Sequence, residues 1–207
     1  MAKVEASLAQ RERSALCDLL GDLGPDAPTL CEGWRSADLA AHLLVRDHHP
    51  YALPGMWLKG GPVQAWIKRV QDGARDTLTW DDLISKVRSG PPPVVRPFDQ
   101  GMNTVEYFVH HEDLRRAQPA WGPRPLTPDD ETILWSRAAY LRTTALVSSR
   151  IFHHPPPAAR LEAPGKPPLL LTKSGTGTVV QGPVGELVMW LNGRKKAARV
   201  ETTVLDA

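Results

Sequence analysis

Met102-Asn103-Thr104-Val105-Glu106-Tyr107-Phe108-Val109-His110-His111-Glu112-Asp113 is the stretch on which the reading of this chain turns. It is free of proline and glycine and predicts a helix over about 102–117. At about 100° per residue, Glu106, His110 and Asp113 fall within one arc roughly 60° wide. Val105 and Val109 flank that arc on one side, Tyr107 and Leu114 on the other. A bundle helix must bury such a face, so polar groups stand where apolar ones are expected. Burying a carboxylate is costly unless it is paired or coordinates a cation. Glu106 and His110, four residues apart, can supply two metal ligands from one face, the geometry that an HExxH zinc helix obtains from two histidines.

A second segment, Asp38-Leu39-Ala40-Ala41-His42-Leu43-Leu44-Val45-Arg46, sets His42 on the side of Leu39 and Leu43, again pointing inward. With His42, the candidate metal ligands become His42, Glu106 and His110. Three protein ligands leave positions open for water or substrate, which marks a reactive site more than a structural one. Asp113, one turn beyond His110, is a candidate partner for the far ring nitrogen or an extra ligand. Two plainer readings stand beside this one. Asn103-x-x-Glu106 has the form of a capping box, in which Glu106 only caps its own helix. His42 alone is also compatible with a core histidine bonded to a backbone carbonyl.

Working outward, apolar periodicity and breakers predict helices over about 4–21, 37–47 (capped by Ser36), 63–76, 80–89 (capped by Thr79) and from Thr127-Pro128 to about 150. Residues 48–62, rich in proline and glycine, read as a loop. Residues 153–168 hold six prolines and read as a linker. Beyond it, Leu169–Leu171 and Thr178–Val180 read as strands, 183–192 as a helix and Arg199–Val204 as a last strand. The expected organisation is mainly α: a helical metal-binding domain over 1–152, the linker 153–168, and a small α+β domain over 169–207.

With 42% apolar and 23% charged residues and a net charge of +2, the chain can build a real core and is not disordered. Its basic runs, such as Arg194-Lys195-Lys196, are short and lack interleaved aromatics, which argues against a nucleic-acid partner. No apolar stretch approaches the roughly 18 residues of a membrane span. The charged N-terminus does not read as a signal peptide, so a cytoplasmic location is expected. Cys17 and Cys31 form no CxxC pair, which makes a cysteine-based zinc site unexpected. His48-His49 and His153-His154 fall at helix ends, where protonated imidazole suits the dipole. His111 points about 100° from His110, so both are not expected on one ion. Cys31 and Trp34 precede the His42 helix, and packing explains them as well as a place at a pocket edge.

Leu30-Cys31-Glu32-Gly33-Trp34 followed by Asp38-Leu39-Ala40-Ala41-His42-Leu43 resembles the opening motif of the DinB-like metal-binding proteins, in the branch related to mycothiol-dependent maleylpyruvate isomerase. Glu106-Tyr107-Phe108-Val109-His110-His111-Glu112-Asp113 resembles that family's second motif. Gly182-Pro183-Val184-Gly185-Glu186-Leu187, running on to Asn192-Gly193-Arg194, resembles its C-terminal unit, which is similar to sterol-carrier-like domains. The resemblance implies a DinB-like four-helix bundle whose His42, Glu106 and His110 hold a divalent metal, zinc by default. It also implies a low-molecular-weight thiol as cosubstrate and a small electrophilic or anionic substrate, hence a thiol-dependent S-transferase or isomerase. Arg194 is the match for an essential C-terminal arginine, and a helix-end role explains it equally well. Arg46, one turn after His42, is a second candidate anion contact. Two competing functions remain: a non-catalytic metal-binding module whose C-terminal domain binds a lipid or protein partner, and a metal-free scaffold.

Overall fold

The structure is a computed structural model that describes residues 5–48, 62–152, 159–171 and 177–204. Residues 49–61 of the loop expected over 48–62, together with His153 and His154, lie outside the described residues, and His48 and Pro62 belong to helices. The described chain is mostly helical with one small four-stranded sheet, as the sequence predicts. It forms two compact units, Met1–Gly122 and Pro123–Ala207. No helix among the described residues is long and apolar enough to cross a membrane.

The first unit holds α1 (Leu8–Leu23), α2 (Ser36–His48), α3 (Pro62–Thr77), α4 (Trp80–Ser89), a 3₁₀ turn (Arg96–Phe98) and α5 (Asp99–Arg116). Ser7 and Gln10 open α1 with a full capping box, so the helix starts later than the expected residue 4. Gly21 does not end it. Gly24 does, at φ +79°, where a side chain would be strained. Thr79 accepts from the Asp82 N–H and Gly90 closes α4, which gives that helix its expected bounds.

α1 packs on α5, α2 packs on α3, and α4 lies against both α1 and α2. Leu16, Leu20, Leu39, Leu43, Leu83, Tyr107 and Leu114 fill the core between them and are essentially inaccessible. Each such leucine stabilises the fold by about 1.5–3 kcal/mol through removal from water. Cys17 belongs to this core, and burial pushes its thiol up to about 11. At pH 8 only about one part in a thousand of it is thiolate, so native protein treated with iodoacetamide is expected to label Cys31 and spare Cys17. Peptide mass mapping checks this; labelling of both at equal rates would contradict the packing. The fold keeps a thiol proton that the open chain releases near pH 9.0, so this contribution to stability fades as pH climbs toward about 11.

The second unit contains α6 (Pro128–Phe152), β1 (Ala159–Glu162), β2 (Leu169–Leu170), β3 (Thr178–Gln181), α7 (Val184–Leu191) and β4 (Glu201–Val204). Strand order is β2-β1-β3-β4, with β1 parallel to β3 and the other pairs antiparallel. Leu161 pairs with both Leu169 and Val180. Two departures from expectation meet here. Residues 159–162, expected inside a linker, form a central strand. Also, α6, expected to belong to a first domain ending at 152, packs on α7 in the second unit. Leu134, Trp135 and Ala138 are buried, and the Trp135 indole N–H donates to the Pro167 carbonyl at 3.1 Å. That buried face is what joins α6 to the small sheet.

Candidate metal centre

α2 and α5 present the central residues, and the 30–34 segment edges them. Trp34 N–H donates to Cys31 O at 3.0 Å, closing a tight turn in which Gly33 sits at φ +77°. Leu30 N–H donates to the Asp113 carbonyl at 3.0 Å and ties this turn to α5. The Trp34 ring then lies 5.0 Å from the His42 ring, and Cys31 Sγ lies 3.3 Å from Asp113 Oδ2. The turn therefore touches both helices that carry the site.

His42, Glu106 and His110 come together: one ligand atom from each lies within 4.8 Å of the other two. The His42 and His110 rings meet edge-on at 5.2 Å. Glu106 Oε2 stands 3.6 Å from His110 Nε2 and 3.3 Å from Arg46 Nε. Both histidines are buried, whereas the Glu106 side chain keeps 31% of its exposure, so the cluster is reached from the Glu106 side. The capping-box reading does not survive: α5 begins at Asp99, so Asn103 and Glu106 lie inside the helix. Asn103 instead donates to Asp47 and Asp99 and accepts from Arg46.

Nδ1 of each imidazole is engaged. His110 Nδ1–H donates to Asp113 Oδ2 at 2.9 Å, which turns Nε2 toward Glu106. This is the carboxylate–histidine pairing that fixes the tautomer of a metal-ligating ring. His42 Nδ1 stands 3.0 Å from the Gln71 amide on α3. An amide reversed about its last torsion has the same shape, and with its oxygen toward Nδ1–H it leaves His42 Nε2 as an electron-pair donor. His111 faces the other way, its Nδ1 2.8 Å from Glu12 on α1, so it shares no position with His110. His48 closes on the Leu44 carbonyl at 3.1 Å.

The donor set fits a divalent cation. Two imidazoles and one carboxylate match zinc and its neighbours in the first transition row. A four-coordinate ion with bonds near 2 Å needs ligand atoms roughly 3.3 Å apart, so the cluster closes on one with small shifts. Formal charge points the same way. Around the cluster, Arg13 and Arg46 stand against four carboxylates: Asp47, Asp99, Glu106 and Asp113. Burial pushes the Asp47 carboxyl upward, and the Tyr107 hydroxyl and the two arginines oppose that shift.

Of the two candidate arginines, Arg46 lies at the cluster, but its donors go to Glu106, Asn103 and the Met102 carbonyl. It holds Glu106 rather than facing outward. Arg194 belongs to the second unit, where its Nη1 donates to the Asn192 carbonyl at 2.6 Å beside the end of α7. The sequence reading passed over Gln71, Arg13, Asp47 and Asp99. Three of them carried a signal, because Arg13, Asp47 and Asp99 continue the buried spacing of Ala9, Leu16 and Leu20, of Leu43 and Leu44, and of Asn103 and His110.

Two crystal structures share this architecture, both of mycothiol-dependent maleylpyruvate isomerase. That likeness shows the fold. One is a histidine-to-alanine variant, with TM-score 0.62 and 17% identity; the match covers 95% of this chain and 90% of that one. The other has TM-score 0.59 at the same identity and coverage. No family model matches the sequence, and neither does any curated protein.

Proposed function

We propose that the protein binds one divalent metal ion through His42, Glu106 and His110 and uses it, with a low-molecular-weight thiol, as an S-transferase or isomerase. The observation that carries the reading is the convergence of three candidate ligand atoms within 4.8 Å, with Asp113 on Nδ1 of His110 and Gln71 beside Nδ1 of His42. A cation held there lowers the pKa of a thiol and so supplies a nucleophilic thiolate at neutral pH. The thiol, and a small electrophilic or anionic substrate, come to this proposal from the name of the structural neighbours.

The chain's own residues prepare the site. Asp113 keeps the proton of His110 on Nδ1, away from the cluster. Arg46 fixes the Glu106 carboxylate, and Asn103 fixes Arg46. Trp34 covers His42 and keeps water from that side. The half-open edge at Glu106 gives the route by which a thiol and a substrate enter. Attack on an unsaturated carbon places negative charge on the substrate, which a cationic side chain stabilises. Arg194 remains the proposed catalytic arginine, so Arg194→Ala is expected to lower turnover while metal content stays at the parent value.

Elemental analysis of purified protein after incubation with Mn²⁺ tests the reading. About one equivalent in the parent, lost in His42→Ala and Glu106→Ala, is the expected result. A parent that stays metal-free would remove the basis for any thiol-transfer assay. The bundle would then be a scaffold with a satisfied polar core.

A further inference from the structure

Cys31, His110 and Asp113 form a second convergence of ligand atoms, also within 4.8 Å of one another. It lies on the opposite edge of the His110 ring from Glu106. Cys31 Sγ is 3.3 Å and His110 Nδ1 2.9 Å from the same oxygen, Asp113 Oδ2. These two separations already match the spacing of ligands around one four-coordinate ion. The Asp113 carboxylate is fully buried at this point, and a cation is one of the few partners that stabilise such a charge. Cys31 itself is half-buried, so the position opens toward solvent through the 30–34 turn.

We propose that Cys31, His110 and Asp113 are a second cation position, selective for thiophilic ions and exclusive with the first. Ligand chemistry separates the two. The first set is imidazole and carboxylate and takes borderline or hard divalent ions. The second adds a thiolate, which favours soft ions such as Cd²⁺. Exclusion follows from the imidazole. A neutral ring has one electron-pair nitrogen, so His110 serves the first position through Nε2 or the second through Nδ1, one at a time. When an ion enters the second position, the Cys31 thiol proton leaves to solvent as the sulfur–metal bond forms. His110 then carries its remaining proton on Nε2, facing Glu106. A soft ion thus disables the first position by taking its shared ligand. This does not depend on the first position being catalytic.

Cd²⁺ alone is the probe, read by the ultraviolet thiolate-to-cadmium charge-transfer band. The band is expected in the parent and in His42→Ala, and at less than a tenth of that intensity in Cys31→Ser. Uptake of Mn²⁺, which a thiolate does not favour, is expected to survive in Cys31→Ser and to be lost in His42→Ala. Pre-loaded Cd²⁺ is also expected to protect Cys31 of the parent from iodoacetamide, a readout that needs no variant. No band in the parent would overturn the proposal, as would a band that persists in Cys31→Ser. Loss of the band in His42→Ala would overturn it too, because Cys31 would then be a fourth ligand of one site. Failure of the metal-dependent function shows instead as absent Mn²⁺ uptake in the parent, so the two failures are distinguishable.

Discussion

Replacing His110 by alanine is expected to weaken Zn²⁺ binding by more than about 100-fold and to abolish the cadmium–thiolate band as well. The first figure has a floor. Loss of a partner that merely orients a ligand costs roughly 10–100-fold in metal affinity. His110 offers an atom to both candidate clusters, so as a ligand its removal would exceed that range. Asp113→Asn supplies the internal comparison. The amide oxygen still accepts from His110 Nδ1–H, but it polarises the ring less, so a 10–100-fold loss is expected there. Competition with a chromophoric chelator measures both. Thermal unfolding gives an independent reading, since a ligand at about 100 times its Kd stabilises the native state by about 2.7 kcal/mol. Zn²⁺ should raise the Tm of the parent and leave that of His110→Ala in place. Affinity in His110→Ala equal to the parent would dismiss both cation positions.

Helix positions were readable because their signals are local. Thr79 before α4 and Gly90 after it, or Thr127-Pro128 before α6, act within a turn of where they stand. Glu106 and His110 were readable because a helix converts spacing into a shared face. What escaped was set by partners distant in sequence. Ser36, expected as a cap, is the first residue of α2; its hydroxyl donates to Gly24 O at 2.5 Å and accepts from Ala27 N–H. The N-terminal job passes to Asp38, which accepts from Arg35 N–H at 2.9 Å. β1 has a single inward apolar residue, Leu161, too little for a period-two pattern, and its two neighbouring strands make it a strand. Gln71 is a polar residue on an exposed-looking helix, and only the fold sets its amide against His42.

The candidate site divides along the same line. The convergence of His42, Glu106 and His110 was legible from two segments, because each histidine interrupted an apolar stripe. The groups that touch those side chains were legible only where they lay on the same helix, as Asp113 does one turn from His110. Arg46 shows the limit. Its distance from His42 correctly brought it to the cluster, yet its donors are committed to Glu106, Asn103 and Met102. Nearness to a site is a property of helix geometry, whereas availability to a ligand depends on every group packed around the side chain.

Arg13→Ala is expected to destabilise the first unit by about 3–5 kcal/mol, the usual cost of stranding a buried charge. The Arg13 guanidinium donates to both oxygens of Asp99, at 3.0 and 2.5 Å, and lies 3.5 Å from Asp47. It also stacks over the Tyr107 ring at 4.4 Å. Burial alone lowers an arginine's pKa; here the bond to Asp99 and the surrounding charges outweigh it and hold Arg13 above its ordinary value. Its place is cut to size, for a Cβ on Gly90, at φ +69°, would lie 2.8 Å from Arg13 Nη1. Alanine at position 13 leaves the buried Asp47 and Asp99 without their cation. With an m-value of about 1–3 kcal/mol/M, the urea midpoint should fall by at least about 1 M. Arg88→Ala is the control: Arg88 also meets a carboxylate, Asp18, at 2.8 Å, but in the open, and removing it should cost no more than about 1 kcal/mol. Equal, small shifts in both variants would refute the assignment of Arg13 as a structural cation. The effect should also travel, because Asp99 and Asp47 both bind Asn103, Asn103 binds Arg46, and Arg46 holds Glu106. A parent-like metal affinity in folded Arg13→Ala would mean that this chain of bonds supports the fold without orienting the ligand.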